Sequence, residues 1–309
     1  MNIKNKDKFL LSVVVPCFNE SEVVDKTYER LLAVLNKIGK YELIFVDDGS
    51  SDDTLAKLNK FKKSHDAIKV INFSRNFGHQ IAVTAGIEEA EGDAIVVIDA
   101  DLQDPPELIP EMIHLWSKGA DVVYGVRDKR AGESKFKILT AKIFYRIIGK
   151  LSDIRTPHDT GDFRLIDRKV AHVLSKMPEK DRYIRGMVSW VGFNQIPMYY
   201  NRDERAAGHT KYPLKKMIRF ALDGIFSFST KPLQVATYFG LFVSLLSVIG
   251  VMYALGSRLF GDGWVPGWTL LFIGMMFLGG VQLIILGVIG EYIGRIYGEV
   301  KKRPLFIKK

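Results

Sequence analysis

Two acidic side chains, Asp99 and Asp101, follow a short run of mostly β-branched residues, Ala94 to Ile98. Residues two apart in an extended segment point to the same face, so these carboxylates would repel each other unless a cation lay between them. Oxygen ligands, the lack of a nearby cysteine and the small number of protein groups favour Mg²⁺ or Mn²⁺, completed by substrate phosphates. The alternative is that the acids only cap a helix entering at Pro105 and Pro106.

Two other predicted strands also run into polar segments. The first runs into Pro16-Cys-Phe-Asn-Glu20 and the second into Asp47-Asp-Gly-Ser-Ser-Asp-Asp-Thr54. One residue is enough to cap the following helix, so two adjacent acids at the strand end indicate a further role. Neither G-x-G-x-x-G nor G-x-x-x-x-G-K-[ST] follows a predicted strand. This disfavours a dinucleotide hydride carrier and a Walker-type phosphate site.

Alternating strand and helix patterns surround these segments. The predicted strands are Leu11 to Val15, Leu43 to Val46, Val70 to Phe73, Ala94 to Ile98 and Val122 to Tyr124. The predicted helices are Glu22 to Leu35, Asp53 to Lys63, Gln80 to Glu89 and Pro106 to Trp116. Such alternation predicts an α/β fold with a mostly parallel sheet and helices on both faces. Ligands of such sheets bind beyond the carboxyl ends of the strands, where the polar segments lie.

Two long apolar runs follow. Pro232 to Ser257 and Gly263 to Gly290 carry no charge over 26 and 28 residues, and each exceeds the ~20 residues that cross a bilayer. The short link Arg258 to Asp262 makes them a helical hairpin with both outer ends on one side. The alternative is a pair of buried helices in a large soluble core.

Positive residues crowd the outer ends of the hairpin, whereas its short loop carries one positive and one negative charge, so the positive-inside rule places the N-terminal part and the tail in the cytoplasm. Apolar residues from Leu214 to Phe226 repeat with helical spacing beside basic ones, which predicts an interfacial helix, with an amphipathic helix packed on a soluble core as the alternative. We therefore predict a cytoplasmic domain (1–210), a juxtamembrane helix (211–231), a transmembrane hairpin (232–290) and a basic cytoplasmic tail (291–309).

Composition and charge indicate which classes of partner the chain can bind. The formal charge of +9 and a pI near 9.3 fit an anionic partner. The basic residues cluster beside the apolar runs and are not interleaved with aromatic residues, which fits lipid and disfavours nucleic acid. The single cysteine, Cys17, excludes an intramolecular disulfide. Small residues in the second run permit close helix packing, including packing in a homo-oligomer: Gly274, Gly279, Gly280, Gly287 and Gly290.

Three strand-end motifs in order carry a resemblance to a known family. V-V-V-P-C-F-N-E, F-V-D-D-G-S-S-D-D-T and V-V-I-D-A-D-L-Q-D-P-P resemble the motifs of family 2 glycosyltransferases, which have the GT-A (Rossmann-like) fold. Asp159-Thr-Gly-Asp-Phe-Arg164, Arg205-Ala-Ala-Gly-His-Thr-Lys211 and the terminal hairpin are similar to polyisoprenyl-phosphate glycosyltransferases. These include dolichol-phosphate mannose synthases and the bacterial undecaprenyl-phosphate glucosyltransferases of O-antigen modification. The Q-x-x-R-W motif of processive relatives is absent.

The resemblance implies roles for matching residues. It assigns the base and ribose of a nucleotide sugar to Pro16, Phe18, Glu20, Asp48 and Ser50, and the metal and diphosphate to Asp99, Asp101 and Gln103. It assigns the diphosphate also to Arg205 and Lys211, the acceptor phosphate to Arg127 and Thr140, and the acceptor-side catalytic loop to Asp162 or Asp159.

Structural alternatives remain for several residues. Arg127 is alternatively a solvated loop charge, and Asp162 a turn residue beside Gly161. Arg164, Arg182 and Arg185 fit either a phosphate or an ordinary ion pair. His79 is predicted to start a helix, with a catalytic role as the alternative, and Trp190 to pack in the core, with stacking on a sugar as the alternative.

The resemblance implies inverting transfer of one hexose from a nucleotide sugar to a polyprenyl phosphate at the cytoplasmic face of the inner membrane. Glucose from UDP-glucose is the expected donor. GDP-mannose, a galactose donor or an aminopentose donor is an alternative, as is transfer to another lipid or glycan. The non-enzymatic alternative is a membrane-anchored protein that binds a nucleotide sugar.

Overall fold

The computed structural model describes residues 9–127, 160–201, 229–260 and 267–309. The chain divides into two compact units. Among the described residues, the first unit comprises 9–127, 160–201 and 303–309, and the second comprises 229–260 and 267–302.

The described part of the first unit is built on a seven-stranded sheet in the order β3-β2-β1-β4-β6-β5-β7. The strands are β1 (Leu11–Cys17), β2 (Tyr41–Asp47), β3 (Ile68–Asn72), β4 (Ala94–Val97), β5 (Val122–Arg127), β6 (Thr160–Asp167) and β7 (Gln195–Tyr200). The five predicted strands are confirmed as β1 to β5, whereas the sequence patterns did not predict β6 and β7.

The direction of β6 decides which residues share an edge of the sheet. This strand is antiparallel to both β4 and β5, while the other neighbouring pairs are parallel. The beginning of β6 therefore lies at the same edge as the carboxyl ends of the other strands. The first residues of β6, from Thr160, thus lie at the edge where polar segments follow β1, β2 and β4.

Helices cover the sheet. They are α1 (Val24–Leu35), α2 (Thr54–Ser64), α3 (His79–Glu89), α4 (Ile109–Ser117), α5 (Arg168–Lys176) and α6 (Ile184–Trp190). The first four confirm the predicted helices, and a 3₁₀ turn at Pro106–Leu108 precedes α4. The core contains fully buried Phe45, Phe73 and Phe163. Each such side chain contributes about 1.5–3 kcal/mol by leaving water.

The second unit contains two long helices, α7 (Lys231–Phe260) and α8 (Trp268–Val300). Both are long and apolar enough to cross a membrane. Large apolar side chains on them are exposed, as Leu241 (62%) and Leu283 (71%) illustrate. This exposure contradicts the alternative of two buried helices in a soluble core, because core helices hide such side chains.

Candidate active site

The loops that follow β1 and β2 are fastened to each other by hydrogen bonds. The Asn19 amide donates to Ser50 Oγ at 3.0 Å, and Asn19 Oδ1 accepts from the Ser51 amide at 2.8 Å. The Glu20 amide donates to Thr54 Oγ1 at 2.8 Å. Asn19 has a φ of 55°, which an asparagine tolerates better than most residues. These bonds fix the shape of the sheet edge where the nucleotide-sugar residues are predicted.

The structure brings those predicted residues to this one edge. Pro16 lies inside β1 opposite Val46, and Phe18 follows the strand with 45% of its surface exposed. Glu20 and Ser50 lie in the two fastened loops. An exposed aromatic ring beside loops of polar groups is suited to stacking on a planar base.

Asp48 is nearly fully buried and anchors a third loop. Its Oδ1 accepts from the Phe77 amide at 2.6 Å, and its Oδ2 accepts from the Gly78 amide at 2.9 Å. Burial raises the pKa of this carboxyl, and these two hydrogen bonds oppose the rise. Gly49 has a φ of +68°, and a Cβ there would lie 2.4 Å from the carbonyl carbon of Arg75. Glycine is therefore required for the close approach of these loops.

Asp99 and Asp101 lie just beyond the end of β4. Asp99 Oδ1 is buried without a hydrogen-bond partner, and the imidazole Nε2 of His79 lies 3.6 Å away. Burial and three nearby carboxylates, Asp162, Asp104 and Asp101, raise the pKa of Asp99 to about 6, against the opposing charge of His79. A buried carboxylate oxygen among like charges fits a bound cation.

The remaining predicted metal residue, Gln103, contacts this segment through its backbone. Its amide donates to Asp101 Oδ1 at 3.2 Å. Among the residues that the structure describes, no group of three or more His, Cys, Asp or Glu side chains is placed to hold a metal ion. The donor set fits a divalent ion that takes only a few protein oxygens and obtains the rest from substrate and water, as Mg²⁺ does.

Asp162, near the beginning of β6, is held by side chains from two helices. Its Oδ2 lies 3.0 Å from His79 Nε2 and accepts from Gln80 Nε2 at 3.0 Å. Its Oδ1 lies 3.2 Å from Arg185 Nε. Gln80 also accepts from the Ile184 amide at 2.9 Å, so α3 and α6 meet at this carboxylate. Asp162 is thus fixed in orientation and is more than a turn residue.

The charges around Asp162 shift its pKa and those of its neighbours. Burial raises the pKa of Asp162, but the hydrogen bond to His79 and the charges of Arg185, His79 and Arg164 outweigh it and hold the pKa well below its usual range. Burial lowers the pKa of His79, while the hydrogen bond to Asp162 and the charges of Asp99 and Asp162 raise it to about 9. At neutral pH the pair is therefore an ionised carboxylate and an imidazolium.

Arg127 is the last residue of β5 and faces the same region. One guanidinium nitrogen lies 3.9 Å from Oδ1 of the fully buried Asp104, which also accepts a hydrogen bond from the Tyr200 hydroxyl. A Cβ added to Gly161 would lie 2.6 Å from Arg127 Nη2, so this glycine makes room for the guanidinium. The side chain is 27% exposed, which contradicts the alternative of a solvated loop charge.

Three arginines were predicted to bind either a phosphate or an ordinary ion-pair partner, and all three form hydrogen bonds within the protein. Arg164 is buried and donates to the carbonyls of Asp162 and Gly161. Arg182 donates to the carbonyls of Leu174 and Met177 near the end of α5. Arg185 pairs with Asp162 and donates to the Thr160 carbonyl at 2.9 Å. All three therefore have partners within the protein, and the ion pair is present at Arg185.

Two expectations from single residues have different outcomes. His79 begins α3 as predicted, but it also bridges Asp99 and Asp162, a role that the sequence patterns did not indicate. The core position predicted for Trp190 is wrong, because 64% of its surface is exposed at the end of α6. The glycine before His79 signalled only the helix start.

Gln80 has no sequence signal, because its partner Asp162 is 82 residues away in the chain. Four predicted site residues lie outside the described residues: Thr140, Asp159, Arg205 and Lys211.

One edge of the sheet therefore carries three kinds of chemistry. It has an exposed ring with polar loops, a partly buried pair of carboxylates suited to a cation, and an oriented carboxylate beside a half-buried guanidinium. Such an arrangement can bind an anionic nucleotide, compensate the charge of a diphosphate and position a second anionic reactant.

Comparisons with known proteins agree with this chemistry. The family model for glycosyl transferase family 2 matches residues 12–174. The chain is 52% identical to the uncharacterized glycosyltransferase YkcC of Bacillus subtilis (strain 168), with 96% of this chain and 92% of the relative covered. It is 42% identical to the SfII prophage-derived bactoprenol glucosyl transferase of Shigella flexneri, with 97% of each chain covered. The similarity therefore extends through the apolar hairpin.

Proposed function

Because the chain belongs to glycosyl transferase family 2, we propose that it is the enzyme that transfers one glucose from UDP-glucose to a polyprenyl phosphate, with inversion at the anomeric carbon. The first unit has the GT-A fold expected of this family. The observation that carries the proposal is the 42% identity, over 97% of the chain, to a protein named as a bactoprenol glucosyl transferase. The apolar hairpin supports a lipid acceptor.

The donor would bind along the edge formed by the first two loops. Phe18 offers its exposed ring to the base, and the loops of Glu20 and Ser50 border the ribose. Asp48 shapes this part of the site, because both of its carboxylate oxygens accept backbone amides. The diphosphate would then lie toward Asp99 and Asp101.

Mg²⁺ or Mn²⁺ would be held by Asp99 and Asp101, with Gln103 beside them, and when bound it would compensate the charge on the departing diphosphate. The buried Asp99 oxygen without a hydrogen-bond partner supports this assignment. Arg205 and Lys211 are proposed to add positive charge at the same diphosphate.

On the acceptor side, Arg127 is proposed to bind the lipid phosphate, with Thr140 as a second contact. Asp162, or alternatively Asp159, orients the reactants. A phosphate monoester has a second pKa near 6, so it attacks as a dianion at neutral pH and needs no strong general base. The low pKa of Asp162 supports a positioning role, because a carboxylate that stays ionised is a poor proton acceptor.

The membrane part explains how the acceptor reaches the site. We propose that α7 and α8 span the inner membrane with the catalytic unit and both termini in the cytoplasm, as the basic flanks of the hairpin indicate. A polyprenyl tail keeps its phosphate at headgroup depth, and the juxtamembrane segment 211–231 is proposed to hold the site there.

The direct test is a screen of labelled nucleotide sugars against membranes that contain the protein and undecaprenyl phosphate. We expect label from UDP-glucose in an organic-soluble product, and less from GDP-mannose, UDP-galactose or an aminopentose donor. If another nucleotide sugar were the better donor, its sugar would take the place of glucose in the proposed reaction. Transfer from none of them, with donor binding intact, would favour a binding protein.

A matched pair of variants tests the metal assignment. Asp101→Asn should lower transfer at saturating Mg²⁺ by about 10²-fold or more, because charge compensation at the diphosphate is lost. Asp53→Asn is the control, since Asp53 lies at the same edge, is exposed and makes no capping bond to α2. Full activity of Asp101→Asn would show that the metal assignment is wrong.

A further inference from the structure

The C-terminal tail, residues 303–309, belongs to the same compact unit as the sheet. Lys308 forms an antiparallel bridge with Phe73, just beyond the end of β3. The Ser74 amide donates to the Ile307 carbonyl and the Lys309 amide to the Asn72 carbonyl, each at 2.9 Å. Because β3 is an edge strand, the tail satisfies backbone groups that the sheet leaves open there.

An aromatic stack continues from the tail into the next loop. The ring of Phe306 stacks on Phe73, with centroids 5.0 Å apart and planes inclined by 19°. Phe73 meets Phe77 edge to face at 5.6 Å, and the Arg75 guanidinium lies 3.9 Å from the centre of the Phe77 ring. Phe73 is only 1% exposed. The tail therefore packs on a ring that also supports the loop from Ser74 to Gly78.

This Ser74–Gly78 loop controls the start of α3. The N-cap residue of α3 is Gly78, which has no side chain to cap the helix. The φ of Gly78 is 107°, a value that is accessible chiefly to glycine. The amides of Phe77 and Gly78 are held by Asp48. The next residue, His79, contacts Asp162 at 3.0 Å. The loop is thus fixed by Asp48 at one end and by the tail at the other.

We propose that the tail is a positioning element of the active site. By docking on Phe73 and Ser74, it holds the Ser74–Gly78 loop in the conformation that places His79 against Asp162. The Phe306 ring and the two backbone hydrogen bonds provide the docking. The ion pair between Lys308 and Glu89 adds little, because both side chains are about half exposed. This proposal rests on the proposed function only in one respect, which is that its kinetic test measures sugar transfer.

The test compares full-length Phe306→Ala with Ile307→Ala in membranes. Ile307 is 56% exposed, and its contribution is a backbone carbonyl that alanine retains, so it is a matched control. We expect Phe306→Ala to lower kcat about tenfold with KM for the nucleotide sugar changed less than about twofold, since misplaced groups cost rate. Phe306→Tyr, which keeps the ring, should restore kcat.

Hydrogen exchange on the same variants tests the proposal without an activity assay. In Phe306→Ala, exchange should become faster in residues 74–79 while β1 and β4 stay protected. Equal kcat and equal exchange in Phe306→Ala and Ile307→Ala would overturn the proposal, as would a loss of protection throughout the sheet. If the wild-type protein transferred no sugar, the proposed function would fail, and the exchange comparison would still decide this inference.

Should Phe306→Ala not accumulate, a chain that ends at Lys302 replaces it. Adding the peptide Arg-Pro-Leu-Phe-Ile-Lys-Lys should then restore protection of the Ser74–Gly78 loop and raise kcat. A peptide with alanine in place of phenylalanine should do neither. Equal rescue by both peptides would contradict the role of the ring.

Discussion

Replacing Asp162 by asparagine tests whether this carboxylate orients the reactants or removes a proton. The side chain is 8% exposed and faces Arg185 and His79, with the buried Arg164 close enough for its charge to shift the pKa. Asp162→Asn keeps the shape but removes the negative charge that faces those cations. Breaking a buried ion pair costs about 3–5 kcal/mol. We expect the free energy of unfolding to fall by about 3 kcal/mol, the lower end of this range, because asparagine can still accept the hydrogen bond from Gln80.

That loss corresponds to a fall in Tm of about 6–12 °C for a unit of this size. Transfer should fall by about 10²-fold through misplacement. The kcat–pH profile, measured at saturating Mg²⁺, separates the two roles. Because the pKa of Asp162 lies well below its usual range, an acid limb near pH 6 should come from the acceptor phosphate or Asp99 and persist in Asp162→Asn. Disappearance of that limb, or full rate with unchanged Tm, would refute the reasoning.

Two further predictions concern neighbours of Asp162. The pKa of His79 is raised to about 9, so its pairing with Asp162 stabilises the fold fully below the ordinary histidine pKa of about 6.5 and is lost as pH rises through 9. Thermal melts in EDTA should show Tm falling over that window in the wild type and less in His79→Asn; parallel curves would contradict this. Gly161→Ala should displace the Arg127 guanidinium and raise KM for polyprenyl phosphate several-fold while donor affinity stays unchanged. An unchanged lipid KM would remove Arg127 from the acceptor site.

Much of the fold was predictable because its signals are local. Strands β1 to β5 and helices α1 to α4 follow from hydrophobic runs and helical spacing within short windows. The charge-free runs likewise predicted α7 and α8, although α8 continues to Val300, beyond the end of the run at Gly290. The cation site at the acids after β4 was predictable for the same reason, since that prediction depends only on the strand immediately before them.

The unpredicted strand β6 has no such local signal. Seven of its eight residues are buried, including the charged Asp162 and Arg164, so it shows neither alternation nor an apolar run. Its charges are tolerated because each has a partner: Asp162 pairs with Arg185 of α6, and Arg164 donates to carbonyls within β6 itself. The outward position of Trp190 was missed for a related reason, since residue type alone does not show which face of α6 is covered.

The sequence by itself determined the alternation of strands and helices, the apolar hairpin and the acids at the strand ends. Only the tertiary structure decided that β6 runs against its neighbours, that His79 meets Asp162 across 83 residues, and that the tail returns to Phe73. Local patterns record which face of a segment avoids water. They do not record which distant segment covers that face, because such pairing depends on the packing of the whole unit.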